Sequence, residues 1–190
     1  MSVKIISGRF RGSVLIVPES ARPTLLRSRQ SLFDMLITMD TSIYAPQRFF
    51  ENKTVLDCFA GSGALGIEAL SRGAEFAYFI DMSQKAINAV YRNIQKLKIE
   101  DQCKVIRGDI FKIKKNLQPS DVIFIDPPYG KISIAKTIKC LYEKNWIKKE
   151  TLIVIEEDIS HIEDLSSLIN TLVERKLGHS FFRIATFKKQ

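Results

Sequence analysis

The stretch Asp121 to Gly130 reads DVIFIDPPYG, an apolar run that stops at Asp126, Pro127, Pro128 and Tyr129. Two prolines cannot continue a β-ladder and hold the backbone extended, so the loop presents its groups at low entropic cost. A carboxylate, a fixed carbonyl and an aromatic ring in that order suit the exocyclic amine of a nucleic-acid base. Such an amine is a poor nucleophile because its lone pair is delocalised into the ring. Hydrogen bonds to the Asp126 carboxylate and the Pro127 carbonyl favour a more tetrahedral nitrogen and aim its lone pair at an electrophilic carbon, and positioning of this kind replaces a bimolecular encounter. Stacking on Tyr129, about 1–3 kcal/mol per base, offsets part of the few kcal/mol that extruding a base requires. No strong general base is needed, since the amine sheds its proton easily once it is cationic.

A second chemical element is VLDCFAGSGALGIEAL, Val55 to Leu70, which reads as strand, glycine-rich turn and helix start. Gly61, Gly63 and Gly66 match GxGxxG and allow tight turning and close backbone approach to a ligand. That pattern alone would serve a dinucleotide pyrophosphate equally well. Neighbouring acids favour a cationic ligand instead. Asp57 ends the strand before the turn, where a carboxylate can face a cationic amino acid and would repel a pyrophosphate. Asp81, 20 residues beyond Gly61, is placed to accept hydrogen bonds from both hydroxyls of a ribose. Asp109 in RGD is placed to meet an adenine amino group, with Ile110 against the ring. The candidate cofactor contacts are therefore Asp57, the turn Phe59, Ala60, Gly61, Ser62 and Gly63, then Asp81 with Met82, and Asp109 with Ile110. Each acid alone could be an ordinary helix cap; a set of three at successive strand ends beside the glycine turn is what a ligand crevice requires.

The elements that position these loops are legible in the apolar pattern. Near-continuous apolar runs at Thr54 to Cys58, Phe76 to Ile80, Lys104 to Arg107, Val122 to Ile125 and Leu152 to Ile155 suit parallel strands buried on both faces. Helices are predicted over Leu65 to Arg72, Ser83 to Leu97, a short one near Phe111 to Leu117, and Ile134 to Asn145. The alternation argues for a doubly wound α/β domain. Thr171 to Leu177 and Phe181 to Phe187 flank Gly178 and read as an antiparallel hairpin at one edge, an ending that resembles the seven-stranded Rossmann-like methyltransferase sheet with its reversed last strand. Ahead of this domain, Val3 to Ser7 and Val14 to Val17 flank GRFRG as a hairpin, and a basic helix follows Pro23 with Leu25, Leu32, Phe33, Leu36 and Ile37 on one stripe and Arg22, Arg27 and Arg29 largely off it. The predicted division is 1–50 as a nucleic-acid-contacting extension and 51–190 as the catalytic domain.

A net charge of +8 over 190 residues favours an anionic partner. Within the first 30 residues the basic groups are Lys4, Arg9, Arg11, Arg22, Arg27 and Arg29 against Glu19 alone, and arginine suits phosphate forks and base stacking. Cys58, Cys103 and Cys140 are distant from one another, so neither a disulfide framework nor a zinc site is indicated. His161 and His179 are isolated, and no metal is expected. No apolar run approaches the roughly 18 residues of a membrane span, and no secretory signal precedes the domain; a cytoplasmic enzyme is expected.

These residues resemble the amino-methyltransferases that carry an Asn or Asp followed by ProProTyr or ProProPhe. Within them the chain is similar to the 16S ribosomal RNA guanine-N2 methyltransferase (RsmD-type) family, on IISGRFRG at Ile5 to Gly12, RPT at Arg22 to Thr24, the pair Leu32 and Phe33, LDCFAGSGALGIEALSRGA at Leu56 to Ala74, and IDPPY at Ile125 to Tyr129. The resemblance implies a seven-stranded class I methyltransferase fold and S-adenosylmethionine as methyl donor. It implies a guanine N2 amine in 16S rRNA of an assembling 30S subunit as acceptor; the protein itself is expected to be a monomer. It assigns Asp57, Gly61, Gly63, Asp81 and Asp109 to the donor, Asp126, Pro127, Pro128 and Tyr129 to catalysis, and Arg9, Arg11, Arg22, Arg27 and Arg29 to RNA. Gln30 stands where family members tend to carry a glutamate.

Three other readings compete. A small NAD-binding oxidoreductase would use the glycine turn and Asp81, but no YxxxK-type hydride-transfer pair is evident and DPPY is left without a role. An RNA-binding module with a decayed cofactor site would not retain Asp57, Asp81 and Asp126. An adenine-N6 methyltransferase acting on DNA or RNA remains open, because both amines present the same hydrogens to the DPPY loop.

Overall fold

A computed structural model describes residues 3–18, 26–39, 48–128 and 130–188. The chain begins with a short antiparallel pair, β1 (Val3–Lys4) and β2 (Val14–Leu15), followed by helix α1 (Leu26–Met39). The α/β part then runs β3 (Thr54–Asp57), α2 (Ala64–Ser71), β4 (Phe76–Asp81), α3 (Gln84–Leu97), β5 (Cys103–Arg107), β6 (Val122–Ile125), α4 (Ile134–Glu143), β7 (Leu152–Asp158), β8 (Ile169–Leu177) and β9 (Ser180–Phe187). In the sheet the order is β5-β4-β3-β6-β7-β9-β8. Strands β3 to β7 are parallel, and β9 is antiparallel to both of its neighbours. The order reverses between β3 and β6, and such switch points open a crevice beyond the carboxyl ends of the strands.

Strand β6, sequence VIFI, is buried at every position, as a central parallel strand must be. Helix α3 starts where the Ser83 side chain accepts from Ala86 N at 3.4 Å, and α4 where Ser133 accepts from Lys136 N at 3.3 Å. Gly66 lets α2 lie directly on β4, because a Cβ there would stand 2.4 Å from the Phe79 ring. The edge strand β8 carries Glu174, Arg175 and Lys176 and a bulge between Thr171 and Val173, devices that blunt an exposed edge. The helix predicted near Phe111 to Leu117 is absent: a 3-10 turn at Ile110–Lys112 is followed by irregular chain. Ile110 and Ile113 are buried whereas Leu117 is 95% exposed, so these apolar residues share no helical face.

The amino-terminal segment is joined to the α/β part through the core. Val3, Ile5 and Leu15 of the hairpin and Leu32, Phe33 and Leu36 of α1 pack with Val55, Phe79, Phe124 and Phe182. Polar contacts fix the same junction. The buried Glu68 carboxylate of α2 accepts from Ile6 N at 2.8 Å, Ser7 N at 3.0 Å and Arg72 Nε at 2.8 Å. One residue on, Gly8 adopts φ +77°, and its Cα lies so close to α2 that a Cβ would stand 1.7 Å from the Ser71 carbonyl oxygen. Arg9 N donates to that oxygen at 2.8 Å, Phe10 N donates to Ser71 Oγ at 2.9 Å, and Ser71 Oγ donates to the Ser7 carbonyl at 2.5 Å. Among the described residues no helix is long and apolar enough to cross a membrane.

Candidate active site

A cleft of about 660 Å³ opens at the carboxyl ends of the central strands. Its first wall is the glycine turn between β3 and α2. Gly61 and Gly63 adopt φ +54° and +78°, the left-handed region that glycine enters without cost. Asp81, at the end of β4, ties this wall to the next strand: Gly61 N donates to its Oδ2 at 2.9 Å and Ser83 N to its Oδ1 at 2.8 Å. Each carboxylate oxygen keeps a further lone pair for a ligand hydroxyl, and the residue is only half-buried. Asp109 caps the 3-10 turn after β5 by accepting from Phe111 N at 3.0 Å. Phe59, Gly61, Asp81, Met82, Asp109 and Ile110 all line the cleft. Asp126, Pro127 and Pro128, following β6, line it as well. Tyr129 lies outside the described residues.

Four of the predicted cofactor contacts do not line the cleft. Asp57 is 2% exposed, does not line the cleft, and accepts from Gly66 N at 3.1 Å, so it holds the first turn of α2 instead of facing a ligand. Burial pushes its carboxyl up to about 7, against the Gly66 N–H, which pulls it down, while the charge of Asp81 adds to the rise. Ala60 and Ser62 are buried, and the Ser62 carbonyl accepts from Asn93 Nδ2 at 2.9 Å. A Cβ on Gly63 would meet the Ile67 and Phe79 side chains at 3.3 Å and Val90 at 3.4 Å, so that side of the residue is turned to the core.

The arginines divide similarly. Arg9 and Arg11 in the hairpin loop and Arg27 on α1 are exposed. Arg9 donates to Gln102 Oε1 and lies over the Phe10 ring at 4.5 Å. Arg22 lies outside the described residues. Arg29, expected to face RNA, is instead 1% exposed and donates to the Lys4 carbonyl. It stands three and four residues before Leu32 and Phe33, which puts it on the inward face of α1. Burial lowers its pKa, opposed by Glu68 and reinforced by Arg72. Gln30 donates to Asp34 Oδ1 at 2.6 Å along the same helix.

Part of the cleft is built by residues outside the sequence motifs. Ser28, Lys131, Glu156 and the β8–β9 turn with His179 and Ser180 complete its far side. Glu156 was findable: it follows the apolar run of β7 as Asp126 follows that of β6. Ser28 and the turn carry no such signal.

A family profile described as "Conserved hypothetical protein 95" matches residues 3–186. The ribosomal RNA small subunit methyltransferase D of Buchnera aphidicola subsp. Acyrthosiphon pisum is 38% identical over 160 residues, 82% of this chain and 78% of the relative. The chain belongs to the ribosomal RNA small subunit methyltransferase D family. Its Escherichia coli K12 relative is 34% identical over 84% of this chain and 76% of its own length. The solved structure of the E. coli protein yhhF superposes with TM-score 0.83 at 30% identity over 100% of both chains. A Haemophilus influenzae structure follows at TM-score 0.76, 31% identity and 98% of both. The sheet order and reversed β9 are those of class I methyltransferases, as expected from the strand pattern.

Proposed function

We propose that the chain transfers the methyl group of S-adenosylmethionine to the exocyclic N2 amine of a guanine in 16S ribosomal RNA, as a cytoplasmic monomer acting on the assembling 30S subunit. One observation carries the reading: a single cleft is lined both by Gly61, Asp81 and Asp109 and by Asp126, Pro127 and Pro128. The cleft suits the donor. Its volume of about 660 Å³ falls in the roughly 300–1,000 Å³ range of small-molecule sites. A Cβ built on Gly61 would meet only the Phe59 carbonyl, at 4.0 Å, so the turn leaves room for a ligand against its backbone. The acceptor-only carboxylates of Asp81 and Asp109 match hydroxyl and amino donors and would repel a pyrophosphate.

In this reading Asp81 takes the ribose hydroxyls, Asp109 the adenine amino group, and Ile110 packs on the ring. The bound donor supplies an electrophilic methyl carbon. Asp126 and the Pro127 carbonyl accept the hydrogens of the target amine and direct its lone pair, while Tyr129 stacks on the extruded base. Residues 1–50 present Arg9, Arg11 and Arg27 to the RNA, and 51–190 form the catalytic domain. The family's named substrate, small-subunit ribosomal RNA, supports the choice of acceptor.

Small subunits from cells lacking this chain, incubated with it and methyl-labelled S-adenosylmethionine and then digested to nucleosides, are expected to carry label on N2-methylguanosine. Label on N6-methyladenosine, or none, would refute the assignment.

A further inference from the structure

We propose that Glu156 reads the target base, its carboxylate accepting the guanine N1–H while Asp126 holds the adjacent N2 amine. The inference rests on the guanine-N2 reading above and adds a residue to it.

Strands β6 and β7 are parallel and their last paired residues are Ile125 and Ile155. The next residue of each is Asp126 and Glu156, one position beyond the last pair of two strands whose ordinary spacing is about 4.8 Å. Alternation puts both on one side of the sheet. Phe124 and Val154, two residues earlier, pack with the core that includes α1, whereas Ile123, Ile125, Ile153 and Ile155 face the core under α4. Asp126 and Glu156 continue the Phe124 and Val154 row past the end of the core, and both line the cleft. Glu156 is only 6% exposed, and Ser180 Oγ, from the β8–β9 turn, donates to its Oε1 at 2.7 Å. A hydroxyl from a third strand thus orients the carboxylate. A buried carboxylate is costly to keep in a fold unless donors serve it, and this one stands beside the group that receives the amine.

The Watson–Crick edge of guanine presents N1–H and the N2 amine as adjacent donors. Adenine presents one amine beside an N1 lone pair. Ionised carboxylates only accept, so two of them in a row match the guanine edge and set a lone pair of Glu156 against a lone pair of adenine. Sites built to hydrogen-bond a particular group reject the analogue lacking it, because the buried polar atoms are left unpaired. Glu156 then supplies what the DPPY loop lacks, a distinction between two bases whose amines look alike. It donates no proton and forms no bond to carbon; its contribution is one charged hydrogen bond made by guanine alone.

The test uses the full chain with small ribosomal subunits from cells lacking it. For Glu156→Gln, kcat/KM for N2-methylguanosine formation is expected to fall about 10- to 100-fold, the worth of a hydrogen bond to a charged group. Affinity for S-adenosylmethionine by calorimetry is expected to stay within about twofold of the parent. Should Glu156→Gln not fold, Ser180→Ala decides, since it takes one donor from the carboxylate and keeps the carboxylate itself: a fall in kcat/KM with unchanged donor affinity supports the assignment. A kcat/KM within about threefold of the parent for the variant that decides overturns it, as does a loss that tracks weakened donor binding, which would give Glu156 to the donor. If the parent itself forms N6-methyladenosine, the guanine reading fails first and this inference with it.

Discussion

Replacing Gly8 by alanine tests how the arginine-bearing loop is anchored. Two penalties combine. The left-handed φ of +77° costs a residue with a Cβ about 1–2 kcal/mol. The new Cβ would also stand 1.7 Å from the Ser71 carbonyl oxygen, so loop and helix must part. Parting breaks the bonds from Arg9 N and Phe10 N to Ser71 and from Ser71 Oγ to Ser7, each worth about 1 kcal/mol. The total is about 4–5 kcal/mol. At about 2–4 °C per kcal/mol for a chain of this size, Tm should drop by roughly 8–20 °C. Gly12→Ala is the matched control: its φ is +85° but nothing lies within 4 Å of the added carbon, so only strain of about 1–2 kcal/mol and a fall of roughly 2–8 °C remain. Scanning calorimetry measures both, and hydrogen exchange at the Arg9 and Phe10 amides reports whether the loop has lifted from α2. Equal Tm values for the two variants, with both amides still protected in Gly8→Ala, would refute the clash as the source of the cost.

Asp81→Ala should raise the S-adenosylmethionine Kd by about 10-fold or more through lost charged hydrogen bonds, and an unchanged calorimetric isotherm would remove it from the donor site. Asp126→Ala should leave that Kd within about threefold while lowering kcat by about 100-fold, the cost of a misaligned acceptor; full transfer in single-turnover assays would contradict its role. Burial holds the Asp57 proton in the folded state up to about 7, whereas the ordinary carboxyl value is 3.8. Its stabilising contribution is therefore complete below about 3.8 and is lost as pH rises toward 7. Asp57→Asn escapes this loss, so the variant's Tm minus the parent's should grow across that window, and a constant difference would count against the buried carboxyl. Replacing Arg9 and Arg11 together should reduce the salt slope of RNA binding by about 2, one per phosphate contact, and an unchanged slope would exclude them from the interface. Arg29→Ala should lower Tm without changing that slope, whereas Arg27→Ala should spare Tm.

The strands and most helices were legible because the forces that set them are local. Central parallel strands bury both faces, so VIFI and LIVI stand out, and Ser83 and Ser133 mark the starts of α3 and α4. The lining of the cleft was legible where acids follow such runs, as at Asp81, Asp109 and Asp126. Tertiary structure decided the rest. Asp57 obeys the same rule yet turns to Gly66 N beneath the glycine turn, a choice that depends on how α2 seats on the sheet. Arg29 has the charge of a surface residue but the spacing of a core one. Glu68 in GIEAL gives no hint that its carboxylate will meet the backbone of Ile6 and Ser7, more than 60 positions earlier. The Phe111 to Leu117 segment has enough apolar residues for a helix and lacks only a common face for them.

Strand β9 follows β8 in the chain but lies inside it, between β8 and β7. During synthesis β7 and β8 therefore emerge with no native pairing between them, and this end of the sheet cannot close until the segment after Gly178 has left the ribosome. Until then β7 presents an open, largely buried-type edge of the kind that recruits other strands. A nonsense or frameshift lesion in the codons for 180–187 should for that reason yield aggregated chains, in place of a shortened enzyme with partial activity.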